Sequence, residues 1–215
     1  MKKSKIVLSG IVVFCMSAAW TSCKKDDPAP AVLSAITFKN LEADPPTGGY
    51  DPQTGEAIGV TNKFTLFSFK TGAIVSNADS ASTKWDVGFR STTIIVNGGT
   101  SGPGSSGAIV QTGIFADIVT APDDGYLQDD KNSAANPYAI KKGSGNGWYS
   151  YDPATNVISP IAGRVLLFKT ADGKYAKVEI LSYYKDAPAA PTSSSVDRNY
   201  TFRYVYQPDG SKKLQ

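Results

Sequence analysis

Arg164-Val165-Leu166-Leu167-Phe168-Lys169, Thr170-Ala171-Asp172-Gly173 and Lys174-Tyr175-Ala176-Lys177-Val178-Glu179-Ile180-Leu181-Ser182-Tyr183-Tyr184 together decide the fold class. Two runs rich in β-branched and aromatic residues flank an Asp-Gly pair, the combination that predicts an antiparallel hairpin. The same grammar extends in both directions. Trp85-Asp86-Val87-Gly88-Phe89-Arg90 alternates, placing Trp85, Val87 and Phe89 on one face. Thr92–Val96 is β-branched throughout and predicts a further strand. Phe64–Lys70 predicts another that ends at Thr71-Gly72, and Ala108–Val119 resumes strand character after a glycine loop. Trp148-Tyr149-Ser150-Tyr151 is a short aromatic strand, and Tyr200-Thr201-Phe202-Arg203-Tyr204-Val205-Tyr206 closes the pattern.

Between these runs lie turn residues: Asp44-Pro45-Pro46-Thr47-Gly48-Gly49, Asp51–Gly55, Asp152–Asn156 and the Pro/Ser-rich stretch 187–195. No repeat and no sustained helical period occurs. Only Leu127–Lys142, acidic and broken at Asn136-Pro137, leaves room for one short helical turn. The expectation is an all-β, antiparallel single domain of many short strands with long loops, over residues 36–215.

The N-terminus carries an address. Met1-Lys2-Lys3-Ser4-Lys5 is basic, Ile6–Trp20 is apolar, and Thr21-Ser22-Cys23 follows. A charged start, an apolar core and small residues before the cut form a secretory signal. The apolar run is shorter than the roughly 20 residues a spanning helix needs. A cysteine directly after the small pair predicts a lipoprotein signal at 1–22, with Cys23 as the lipid attachment. Residues 23–35 then form a lipidated N-terminus and linker, with Pro28-Ala29-Pro30-Ala31 as spacer. The charged Lys24-Lys25-Asp26-Asp27 after the cysteine resembles the export tag of lipoproteins displayed on the outer face of the outer membrane. The expected location is therefore the outer membrane, held only by the lipid anchor and exposed at the cell surface.

Composition prunes the chemistry. The net charge of +3 comes entirely from the three lysines of residues 1–22, so the remainder is formally neutral and predicts no nucleic-acid face. The chain has no histidine, and its two cysteines and two methionines all lie within residues 1–23. Beyond Cys23 there is consequently no disulfide, no Cys/His zinc site, no histidine base and no thiol nucleophile. Carboxylate chemistry stays formally open, but no two acids pair at a recognisable site. An enzyme is not expected.

The loop Gly98–Gly107 lacks the lysine of a phosphate-binding loop and leads into a strand, so it reads as a long turn. Asp123-Asp124 and Asp129-Asp130 match no calcium-loop spacing and read as solvated acids. The stripe Tyr200, Phe202, Tyr204 and Tyr206 reads as sheet packing. Trp148, Tyr149 and Tyr151, placed near a loop, are the better candidates to meet a flat ligand.

The blocks Phe67–Gly72, Trp85–Arg90, Asn97–Gly104, Gly147-Trp148-Tyr149, Gly163–Ile180 and Tyr200–Pro208 occur in an order that resembles the HmuY family over most of residues 60–210. The resemblance implies an all-β, haem-binding surface lipoprotein that acquires haem and passes it to an outer-membrane receptor of the TonB-dependent kind, without catalysis. It also implies a departure. Family members hold the iron with histidine or methionine, and the segment Asp152–Ile158 often carries a histidine where this chain has Asn156. If haem or a related porphyrin is the ligand, a tyrosinate is the strong oxygen donor left. Tyr149 or Tyr151, with Tyr126 as an outsider, is then expected to ligate or stack, beside Trp148 and Asn156; which residue meets the metal stays open. The alternative is a non-haem binding or adhesion module that kept the fold and lost the ligands.

Overall fold

The computed structural model describes residues 33–215. The signal at 1–22, Cys23 and the linker up to residue 32 lie outside the described residues. Eleven strands follow in order: β1 Ile36–Glu42, β2 Thr65–Ser68, β3 Ala73–Val75, β4 Val87–Arg90, β5 Thr93–Val96, β6 Gly107–Thr112, β7 Tyr149–Asp152, β8 Val157–Pro160, β9 Arg164–Lys169, β10 Tyr175–Ser182 and β11 Asn199–Gln207. They form a five-stranded sheet in the order β1-β11-β10-β9-β6, a four-stranded sheet β3-β2-β4-β5, and the separate hairpin β7-β8. Every strand pair is antiparallel. The all-β expectation holds.

The predicted hairpin is β9–β10, with Tyr175 opposite Lys169 and Val178 opposite Leu166. Its turn closes through Thr170, whose Oγ1 accepts the Lys174 N–H and donates to Asp172. The two larger sheets bury their facing sides against each other. The Phe67 ring lies 5.3 Å from Phe202 and 5.0 Å from Phe38, and Phe89 lies 4.9 Å from Tyr200. The two Phe67 pairs are edge-to-face, an arrangement that adds to the area they bury. Tyr200, Phe202 and Tyr204 are fully buried here, which makes the β11 stripe core packing as expected.

The outer faces are covered as well. Val165 and Leu167 turn away from the main core toward Phe115, Ile118 and Leu214, while Leu166 and Phe168 turn into it. This explains why β9 reads as a continuous apolar run rather than an alternating one. The expected strand at Ala108–Val119 ends at Thr112, because the chain turns at Ile114–Asp117 to lay Phe115 and Ile118 on that outer face. Buried Lys177 pins the turn, donating from Nζ to the carbonyls of Phe115 and Ile118 at 2.8 Å each.

Two sequence expectations fail around the glycine loop. Asp129, read as a solvated acid, is 1 % exposed, and its carboxylate accepts the N–H groups of Val96 at 3.0 Å and Ala139 at 2.8 Å. Leu127–Lys142 forms no helical turn. Its backbone bonds outward instead, Leu127 to Ala108 and Asp129 to Thr100. The only helical element among the described residues is a 3-10 turn at Asn77–Asp79. The loop glycines exist because two backbones pass in contact. A Cβ on Gly99, whose φ is +62°, would stand 2.0 Å from the Asp129 carbonyl oxygen. We expect Gly99→Ala to destabilise the fold by about 1–3 kcal/mol from backbone strain, with the clash in addition, measured by urea unfolding.

Candidate functional site

The β7–β8 hairpin builds one wall of a cleft. Tyr151 pairs with Ile158 across it, and the turn at 153–156 is stabilised by Asp152, which accepts the Ala154 N–H and the Thr155 hydroxyl. Asn156 closes the turn at φ +55°, a left-handed conformation that asparagine tolerates better than most residues. Its Oδ1 accepts the Tyr151 hydroxyl at 2.6 Å. Asn156 thus has a turn role and a ring-fixing role at once.

Opposite lies the Gly/Pro segment of residues 44–59. Asp44 holds its base, accepting the Thr61 N–H, the Thr61 hydroxyl and the Asn62 N–H. Burial opposes the Asp44 charge, but these donors outweigh it and set its pKa below the usual carboxylate value. The segment presents Tyr50, whose hydroxyl donates to Asp197 at 2.5 Å, with the Arg198 guanidinium 5.8 Å from the ring centroid. Burial, then the Asp197 carboxylate, pushes the Tyr50 phenol up to about 12, against partial relief from Arg198.

The space between is about 770 Å³, within the usual range for small-molecule sites. Tyr50, Tyr151, Asn156, Ile158, Tyr184 and Val196 line it, and the hydroxyls of Thr192–Ser195 edge it. Tyr50 and Tyr151 expose 45 % and 42 % of their surfaces, unusual for aromatics and suited to receiving a flat partner. Tyr184 is nearly buried, and its hydroxyl accepts the Ile158 N–H at 2.9 Å.

The structure gathers two of the five residues singled out from the sequence, Tyr151 and Asn156. Trp148 lies just before β7 and Tyr149 opens it, with both rings in the main core. Trp148 is 2 % exposed and donates from Nε1 to the Thr92 carbonyl. Their nearness to a loop in sequence did not translate into exposure, because the hairpin turns that end of β7 inward. Tyr126 packs by Tyr175 on the outer face of the five-stranded sheet, away from this cleft, with a buried hydroxyl that has no partner among the described residues. Burial raises its pKa strongly.

Sequence reasoning missed Tyr50, Tyr184 and Asp197. The one available signal was a lone aromatic at position 50 within a run of turn residues. Among the described residues no cluster of three or more His, Cys, Asp or Glu gathers to hold a metal ion. No described helix is long and apolar enough to cross a membrane.

The sequence model of the HmuY protein family matches residues 61–204, which includes the β7–β8 wall but not Tyr50. No curated protein matches the chain. Similar solved structures include a HmuY-like haem-binding protein from Bacteroides vulgatus, 15% identical over 81% of this chain and 91% of that one, TM-score 0.45. Another is an apo HmuY analogue from Tannerella forsythia, 17% identical over 82% and 96%, TM-score 0.42. A third is a lipoprotein from Bacteroides fragilis, 14% identical over 81% and 91%, TM-score 0.44.

Proposed function

Because this chain belongs to the HmuY family, a family of haem-binding proteins, we propose that it is a non-catalytic surface lipoprotein that holds haem or a related porphyrin between Tyr50 and Tyr151. One observation carries the placement. Two half-exposed tyrosine rings, each fixed at its tip by a hydrogen bond, face a cleft of about 770 Å³ with apolar Ile158 and Val196 in its walls. Such walls fit a porphyrin plane. Bound haem would supply a redox-active iron and a visible absorption band. The residues that would hold the ring are Tyr50, Tyr151 and Ile158, with Asn156 orienting Tyr151. Export through the 1–22 signal, anchoring at Cys23 and delivery of the ligand to a TonB-dependent receptor for iron acquisition complete the proposal, with residues 36–215 as the binding domain.

The absence of histidine and methionine beyond residue 23 favours a second reading, a binding or adhesion module for a non-haem ligand. Haemin titration of the chain without its first 22 residues separates the two. The expected result is a saturable Soret shift that weakens about tenfold in Tyr151→Ala, the scale of one lost aromatic contact. No saturable shift would leave the second reading.

A further inference from the structure

We propose that the cleft recognises its ligand by the tetrapyrrole plane and not by the central metal, so that metal-free and metal-loaded porphyrins bind alike. This rests on the porphyrin reading above and specifies its ligand class.

Three phenols face the cleft, and each oxygen is already engaged. A phenol becomes a strong ligand for ferric iron only as the phenolate. At Tyr50 that proton lies in a 2.5 Å bond to the Asp197 carboxylate, and a phenolate there would face a second negative charge. Tyr184 uses its oxygen to accept the Ile158 N–H at 2.9 Å, and the side chain is 4 % exposed. Burial raises its pKa, and the Ile158 N–H offsets only part of that. Tyr151 donates to Asn156 Oδ1 at 2.6 Å, so its hydroxyl is committed to holding the ring in place. Asp197 also borders the cleft, with its carboxylate engaged by the Tyr50 hydroxyl, and the remaining groups are the hydroxyls of Thr192–Ser195, poor iron ligands that are partly bonded among themselves.

The same three bonds favour a ring. Side chains held at both ends lose little freedom when a planar ligand stacks on them, which preserves affinity. Ile158 and Val196 add apolar wall, and the hydroxyl edge at 192–195 suits the carboxylate groups at a porphyrin's rim.

The test compares haemin, zinc protoporphyrin and metal-free protoporphyrin IX by quenching of tryptophan emission, on the chain without its first 22 residues. The three dissociation constants are expected to agree within about threefold, to stay so in Tyr151→Phe, and to rise together by about tenfold in Tyr50→Ala. Haemin binding about thirtyfold or more tightly than the metal-free ring, with the gap closing in Tyr151→Phe, would overturn the inference. That result would assign iron ligation to Tyr151 and leave the porphyrin reading intact. Saturation by none of the three would overturn the porphyrin reading, and this inference with it.

Discussion

Trp148→Ala is expected to lower the free energy of unfolding by about 3–5 kcal/mol, the usual cost of removing a large buried aromatic. The indole is 2 % exposed, with ring centroids 4.9 Å from Tyr149, 5.0 Å from Tyr200 and 5.7 Å from Tyr183. Its truncation removes those contacts and leaves a cavity that the surrounding β-framework can only partly close. It also orphans the Thr92 carbonyl, which accepts the indole N–H at 3.0 Å. Trp148→Phe keeps most of the volume and loses the hydrogen bond, so it should cost less. Urea unfolding followed by far-ultraviolet circular dichroism measures both. An unchanged midpoint in Trp148→Ala would mean that the ring is not a core element. The expected loss would show that any effect of Trp148 substitutions on ligand binding passes through the fold.

The second large effect is a pH dependence centred on Asp86. This carboxylate is 5 % exposed and accepts the N–H groups of Phe69 at 2.8 Å and Ala171 at 2.9 Å, tying the end of β2 to the β9–β10 turn. Burial outweighs those donors, and neighbouring Asp172 adds repulsion, so the group is raised to about 6 from 3.8. The folded chain therefore holds this proton over a range where the unfolded chain has released it. Stability from Asp86 is fully present below about pH 4 and is lost as pH rises through about 6. A shift of about two units corresponds to about 3 kcal/mol as an upper bound.

Asp44 and other carboxylates with lowered pKa values act in the opposite sense, losing stability as the pH falls through their folded values. The Asp86 contribution is thus read as a difference. Asp86→Asn cannot ionise, and its amide oxygen still accepts one of the two N–H bonds. The wild type should lose stability relative to Asp86→Asn as the pH rises from about 4 to about 6. Parallel stability curves over that interval would show that Asp86 does not titrate there.

The strands could be read from the sequence because their causes are local. Alternation at Trp85–Phe89, β-branching at Thr92–Val96 and the Asp-Gly turn before Lys174 each act within a few residues. The exclusion of thiol, imidazole and thioether chemistry was also legible, being composition alone. Tyr151 and Asn156 belong to the same class: they stand five residues apart on one hairpin, so a single turn brings them together.

The rest of the site needed the tertiary structure. Tyr50 meets Asp197 across 147 residues, and no local pattern encodes a pairing that depends on how two sheets and three loops stack. The same physics reassigned Trp148 and Asp129. A large indole beside a loop gains most by turning into the core. A carboxylate that finds two unpaired backbone N–H groups can be buried where its sequence neighbours Asp124 and Asp130 stay in water. Lys177 is buried for a related reason, because its stem follows the sheet face and its ammonium reaches two loop carbonyls. Sequence alone determined the strand grammar and the chemistry that is absent. Which polar groups are buried, and which tyrosines share a cleft, was decided by long-range packing, because burial depends on what the rest of the chain places overhead.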